Sequence, residues 1–179
     1  MKKEIEVSKT CCFTGHRPQN LPFWYSGNNI KSLKLKSVLE NEIVQLIERC
    51  GVNYFISGMA LGIDQYAAEI VIELKKQYPE ITLECAIPCE TQANKWTEAQ
   101  RDRYYSIIKN CDKETLLQKQ YTTDCMDKRN EYMVMHSDYI IAVYSRKPSG
   151  TYNTLKLAKS LGKNVIIIDP HTLESSRIN

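Results

Sequence analysis

No stretch of this sequence is rich enough in proline, glycine or serine to read as a linker, so residues 1–179 are expected to form one domain, long enough for a full α/β core. Long apolar runs are missing too. The longest, such as Val165 to Ile168, are strand-sized, which argues against a membrane-spanning helix. The opening Met1-Lys2-Lys3-Glu4 leads into no apolar signal-peptide core, so cytoplasmic residence away from any membrane is the expectation. Seven cysteines (Cys11, Cys12, Cys50, Cys85, Cys89, Cys111 and Cys125) are an odd number and show neither a CxxC framework nor zinc-ligand spacing. They read as reduced thiols, with no metal site expected. Cys89 has no histidine partner in sequence, which argues against a nucleophile. A basic run is absent as well: the net charge is only +3 and Lys and Arg are scattered among acids, so composition argues against a nucleic-acid partner.

What remains is an ordinary globular balance, 42% hydrophobic and 25% charged. Short β-prone runs at Lys9 to Thr14, Asn53 to Ser57, Ile81 to Ile87, Glu114 to Leu117, Tyr139 to Tyr144 and Asn164 to Ile168 alternate with helical patterns. Leu35, Val38, Leu39, Ile43, Leu46 and Ile47 recur at helical spacing, as do Ile63, Ala67, Ile70, Val71 and Leu74. Leu155, Ala158 and Leu161 mark a further helix stopped by Gly162, and weaker patterns cover residues 97–110 and 124–136. The alternation predicts a Rossmann-like, doubly wound, mostly parallel sheet of about six strands with helices on both faces.

In such a sheet, ligands gather beyond the carboxyl ends of the strands. Four of the six predicted strand ends carry turn or polar residues: Thr14-Gly15-His16-Arg17-Pro18, Ser57-Gly58-Met59-Ala60-Leu61-Gly62-Ile63-Asp64, Ile87-Pro88-Cys89-Glu90 and Lys147-Pro148-Ser149-Gly150-Thr151. The second is a glycine turn between a strand and a helix. Gly58 and Gly62 permit close approach and positive φ, and the free N–H groups of the following helix attract an anion; packing alone would also use such a turn.

Each neighbouring residue has a ligand-binding and a structural reading. Arg17 offers a fork of donors to a phosphate or carboxylate. His16 either donates to a phosphate or satisfies a loop carbonyl, and Gly150-Thr151 either holds a second phosphate or caps its own helix. Asp64 bonds a ribose or complements its helix dipole. Glu90 suits a ribose or base, Trp96 stacks on a base or packs inward, and Arg129 and Asn130 flank the crevice or line a solvated helix face. Tyr121 needs only a surface role. Two helix starts on one crevice suit a ligand with two separated anionic groups.

The segments TGHRP, SGMALGID, IPCE with Trp96, KRNEYMV, SDYIIAVY and SGTYNT, in this order between Cys11 and Asp169, resemble the SLOG superfamily. That group unites the Smf/DprA proteins with the Lonely-guy nucleotide hydrolases, and within it the chain looks most like the YpsA family. The resemblance implies that Gly58, Gly62, Gly150 and Thr151 line a nucleotide pocket. The full candidate binding set is Gly15, His16, Arg17, Ser57, Gly58, Met59, Ala60, Gly62, Asp64, Pro88, Glu90, Trp96, Arg129, Asn130, Ser149, Gly150, Thr151 and Asn153, with no catalytic residue assigned. No cofactor is firmly implied; ADP-ribose or an NAD-derived nucleotide is the expected small-molecule ligand class. Homo-oligomers are common among SLOG-type proteins.

Lonely-guy hydrolases pair an arginine in an RKxxM segment with a glutamate in PGGxGTxxE. Here Arg129 and Met133 are kept, but Thr154 stands at the glutamate position. Threonine cannot supply the carboxylate that glycosidic cleavage needs, which favours a sensor, carrier or sequestering role over hydrolysis. A nucleotide N-glycosidase using Glu90 or Asp64, and single-stranded DNA binding of the Smf/DprA type, are the alternatives.

Overall fold

A computed structural model describes residues 8–22, 29–145 and 148–178. The opening Met1-Lys2-Lys3-Glu4 and the Lys147 of the fourth predicted strand end lie outside the described residues. Strands β1 (Lys9–Gly15), β2 (Val52–Ser57), β3 (Thr82–Ile87), β4 (Lys113–Leu116), β5 (Tyr139–Val143), β6 (Asn164–Ile168) and β7 (Ser175–Ile178) form one sheet in the order β4-β3-β2-β1-β5-β6-β7. Every pairing is parallel except β6 with β7, which is antiparallel. The predicted doubly wound fold is therefore present with seven strands rather than six. All four residues of β7 are exposed, so the strand carries no alternating apolar signal that a sequence reading can use.

Among the described residues five α-helices connect the strands: α1 (Ile30–Cys50), α2 (Ile63–Leu74), α3 (Glu98–Asn110), α4 (Cys125–Met135) and α5 (Gly150–Ser160). Alternate strand residues point to opposite faces. Phe13, Phe55, Leu83, Ile141 and Ile166 join Leu35, Leu39 and Ile43 of α1 and Ala67 and Val71 of α2 in the larger core, where the Phe13 and Phe55 rings stack at 6.0 Å. Cys12, Ile56, Ala86, Ile140 and Val165 meet Met133 and Val134 of α4 and Ala158 of α5 on the other face. Fully burying each large apolar side chain is worth about 1.5–3 kcal/mol, so these two layers hold the helices to the sheet.

Local signals explain the helix ends. Asn29 caps α1, accepting from the Lys31 N–H at 2.9 Å, and Gly51 closes it in the left-handed region at φ 70°. Thr97 and Gln100 form a reciprocal capping box at the start of α3. All seven cysteines are free thiols, and burial pushes the Cys12 thiol up to about 12. No helix among the described residues is long and apolar enough to cross a membrane.

The chain runs outward from β1 through β2, β3 and β4, then returns to place β5 on the other side of β1. The strand order therefore reverses between β1 and β5, and a crevice opens there beyond the carboxyl ends.

Candidate functional site

Gly15, at the end of β1, has no room for a side chain, because a Cβ there would stand 2.6 Å from Ile63 Cβ. The β1 end thus lies directly on the start of α2. Gly62 answers from the other side: it has φ 98°, and a Cβ on it would stand 2.8 Å from the His16 carbonyl oxygen. His16 ties the two strands of the reversal together. Its N–H donates to Val143 O at 3.2 Å, and its ring Nε2 accepts the Ser145 N–H at 3.0 Å, with Ser145 Oγ at 2.8 Å. Accepting at Nε2 leaves the proton of a neutral ring on Nδ1. At Nε2 the ring thus fastens a loop amide, where the sequence weighed a phosphate against a loop carbonyl.

The segment from Ser57 to Asp64 differs in detail from a simple phosphate loop. Positive φ falls on Met59 (59°) and Gly62 rather than on Gly58. Ser57 Oγ accepts the Met59 N–H at 3.2 Å and donates to Asp64 O at 2.8 Å, while Asp64 Oδ2 accepts the Ala60 N–H at 3.3 Å. Two of the loop amides are therefore consumed internally. Gly58 is glycine for another reason: Arg129 from α4 lies against its α-carbon, and Arg129 Nη1 donates to Gly58 O.

Arg129 is buried, and its Nη1 lies 3.8 Å from Asp64 Oδ2 while its Nε donates to Asn130 Oδ1 at 2.8 Å. Burial raises the Asp64 carboxyl above its ordinary value, against the opposing pull of Arg129, the Ala60 amide and Arg17. The Arg129 guanidinium keeps its charge despite desolvation. Arg17 acts on both groups. Two arginines stand beside two carboxylates, Asp64 and Asp127, so the pull on an anion comes from the donor forks of Arg17 and Arg129 and from the N-termini of α2 and α5 rather than from an excess of positive side chains.

A cavity of about 260 Å³ occupies this place. Of the sequence-predicted residues it is lined by Gly15, His16, Arg17, Ala60, Asp64, Arg129, Asn130, Ser149, Gly150 and Thr151. Ser149 caps α5, its Oγ accepting the Tyr152 N–H at 3.3 Å, and a Cβ on Gly150 would meet open space. A larger cavity of about 500 Å³ shares Arg17, Ala60 and Met126 with the first and continues past Leu61, Thr91, Gln92, Asn94, Lys95, Trp96 and Tyr121. Trp96 is half-buried, edge-on to Tyr104 at 5.5 Å, so it packs inward and lines the cavity at once.

The remaining candidates do not line either cavity. Ser57, Gly58, Met59 and Gly62 are buried behind the wall, and Pro88 is buried at the end of β3. Glu90 and Asn153 are exposed outside it. Thr154 is buried and donates to Gly150 O at 3.0 Å, a bond internal to α5. Sequence reasoning missed Asn20, Met126 and Asp127 of the smaller cavity and Leu61, Gln92, Asn94 and Lys95 of the larger one. It gave Tyr121 surface and packing roles only; the residue is exposed and also borders the larger cavity. No spacing rule marks these positions, which come together only when the loop after β3 folds over the start of α4.

The chain matches the YspA SLOG family over residues 11–171. It is 31% identical to a UPF0398 protein of Halalkalibacterium halodurans, covering 93% of this chain and 90% of that protein. It is 36% identical to the SPbeta prophage-derived protein YoqJ of Bacillus subtilis, covering 73% of this chain and 84% of that protein. Among solved structures it is similar to DNA processing protein A of Streptococcus pneumoniae, with TM-score 0.58, 18% identity and 90% of this chain covered. There the chain spans 50% of its neighbour's length. The corresponding protein of Helicobacter pylori, described by its unique single-stranded DNA binding mode, gives TM-score 0.61 at 16% identity, covering 95% of this chain and 69% of that one. The chain belongs to the YspA SLOG family, and it has the Rossmann-like fold of the DNA processing proteins.

The expectation against a nucleic-acid partner is corrected by the Helicobacter pylori protein, in which this fold binds single-stranded DNA. Net charge averages over a whole surface and does not describe one crevice, where here Arg17, Lys95 and Arg129 stand beside Asp64 and Asp127.

Proposed function

We propose that this member of the YspA SLOG family binds an ADP-ribose or NAD-like nucleotide across the two adjoining cavities and serves as a sensor, carrier or sequestering module. The observation that carries this reading is the division of labour along one crevice. The smaller cavity gathers Arg17, Arg129 and the start of α5 for phosphate oxygens, and the larger one offers Trp96, Tyr121, Leu61 and Met126 to a flat base. The internal bond of Thr154 supports binding without hydrolysis, since no carboxylate stands at that position. Calorimetric titration with ADP-ribose, NAD and AMP tests the reading. Saturable binding that weakens with salt is expected, and no binding of any of the three overturns it.

A second reading, nucleotide N-glycosidase activity, is favoured by one observation: Asp64 is a buried carboxylate in the smaller cavity, and burial raises its proton affinity toward the range useful for acid–base work. Glu90, exposed and outside both cavities, does not support that role. Chromatography for free base after incubation with AMP or NAD separates the two readings. A gel shift with a single-stranded oligonucleotide, repeated with ADP-ribose as competitor, shows whether nucleic-acid phosphates use the same crevice.

A further inference from the structure

Arg129 is the buried cation of the smaller cavity, and the protein uses only part of its donor fork. Nη1 donates to Gly58 O and Nε to Asn130 Oδ1, which leaves Nη2 without a partner and open to solvent. Asp64 is divided in the same way. Its Oδ2 accepts the Ala60 N–H at 3.3 Å and lies 3.8 Å from Arg129 Nη1, while Oδ1 has no partner and is likewise open. The two side chains are only 5% and 7% exposed and both line the smaller cavity, so the little surface they keep opens there. Thr14 and Thr151, also buried at this cavity, bring two hydroxyls that make no hydrogen bond within the protein.

A phosphate seated here therefore finds donors in Nη2, the two hydroxyls and the first amides of α5. It also meets the open oxygen of a carboxylate that already shares the arginine. Repulsion between like charges grows with the product of the charges and is strong where water is largely excluded. Each further negative charge on the ligand is thus resisted again. A terminal phosphate monoester carries close to two negative charges at about pH 8, because its second ionisation lies near 6. A phosphate esterified on both sides, or one inside a diphosphate bridge, carries a single charge. Among the described residues the other charged side chains at this cavity are Arg17 and Asp127, one of each sign and both exposed, where water and salt screen them. The discrimination accordingly falls to Asp64.

We propose that the smaller cavity selects phosphate by charge: Asp64, set beside the arginine that receives the anion, admits a singly charged phosphodiester or diphosphate bridge and disfavours a doubly charged terminal phosphate. This specificity role rests on the nucleotide-binding reading above and narrows it to ligands whose phosphates are internal, in preference to nucleoside monophosphates.

The test compares AMP with adenosine 5′-methylphosphate by calorimetry on the full chain at about pH 8, where the two share base and sugar and differ by one charge. The methyl ester binds roughly tenfold more tightly if Asp64 reads the charge. In Asp64→Asn the ratio falls to near one, chiefly because AMP gains affinity; circular dichroism confirms that the variant folds. A preference owed to the methyl group itself survives that substitution and overturns the assignment to Asp64. Asp127→Asn, at the exposed carboxylate, changes the ratio less; an equal or larger change there overturns that assignment too. Where direct titration is too weak, displacement of ADP-ribose gives the same ratio, and the wild-type comparison needs no variant. Equal affinities, or tighter AMP, overturn the proposal while binding of ADP-ribose keeps the nucleotide reading intact. Failure of ADP-ribose and of both AMP forms to bind overturns the nucleotide reading itself. Parallel titrations with ADP-ribose and a dinucleoside monophosphate tell whether the singly charged phosphate comes from a diphosphate bridge or a nucleic-acid backbone, and tighter binding of either one than of AMP fits the proposal.

Discussion

The Arg129 guanidinium fills the space that a side chain on Gly58 would need, and its Nη1 donates to the Gly58 carbonyl oxygen. The glycine of the second strand end therefore seats an arginine from α4 at the wall of the smaller cavity. Gly58→Ala pushes a methyl group into the guanidinium, which is held by Asn130 and faces Asp64. The expected cost is about 1–3 kcal/mol in urea unfolding, typical of overpacking in a filled interior. Binding of ADP-ribose falls with it, because the displaced arginine no longer faces the anion seat. Unchanged stability in this variant contradicts the steric account.

Gly150→Ala is expected to behave oppositely. A Cβ at this position meets open space, and the residue opens α5 without positive φ, so stability holds or rises by up to about 1 kcal/mol. The added methyl nevertheless enters the smaller cavity beside the first amides of α5. Weaker nucleotide binding with an unaltered or raised melting temperature is the expected pair of results. Unaltered binding places the anion elsewhere.

Asp64 gives a pH signature of definite sign. Burial raises its folded-state value above the ordinary 3.8, so between these two values the folded chain holds a proton that the unfolded chain has released. Stability contributed through this group consequently falls as pH rises through that window. Asp64→Asn removes that slope and, by taking one of the two cavity carboxylates from beside Arg17 and Arg129, strengthens binding of an anionic ligand. Unfolding midpoints measured from about pH 4 to 7 with both proteins check the first part, and titration with ADP-ribose checks the second.

Glu84 has the contrary sign. Burial alone would raise its value, but hydrogen bonds from Thr115, Tyr54, Tyr132 and Lys113 outweigh burial and lower it below 4.5. The hydroxyl donors stand at 2.6, 2.6 and 2.7 Å from the carboxylate, and Lys113 Nζ at 3.2 Å. Its stabilisation is fully present above the unfolded value and is lost as pH falls through the folded one. Glu84→Gln should cost about 2 kcal/mol near neutrality, from weakened charge-assisted bonds, and should flatten the acid limb of the stability curve. A variant as stable as the parent at neutral pH refutes the network as a stabilising element.

Much of the architecture is legible because burial leaves periodic marks. The near-continuous apolar runs of β1, β2, β3, β5 and β6 announce strands covered on both faces, and Leu35, Leu39 and Ile43 trace the buried stripe of α1. The antiparallel β7 has no such mark, since it is exposed along its length. At the site, Arg17, Asp64 and Gly150 are visible as polar or turn residues interrupting apolar patterns after strand ends, and Arg129 as a charged residue of the α4 pattern. Gln92, Tyr121 and Met126 are not, because each belongs to a segment whose local pattern is ordinary.

The sequence by itself determined the alternation of strands and helices, the placement of a crevice beyond the strand ends and three of its charged groups, Arg17, Asp64 and Arg129, because these follow from local periodicity and side-chain chemistry. Tertiary structure alone decided what the glycines serve. Gly15 admits Ile63, Gly62 admits the His16 carbonyl and Gly58 admits Arg129, so all three are demanded by contacts between segments distant in sequence. Tertiary structure also decided that Gln92, in the loop after β3, reaches back to the Gly58 carbonyl oxygen. Its orientation depends on a carbonyl 34 residues earlier in the chain, and hydrogen bonds across such a separation leave no periodic trace.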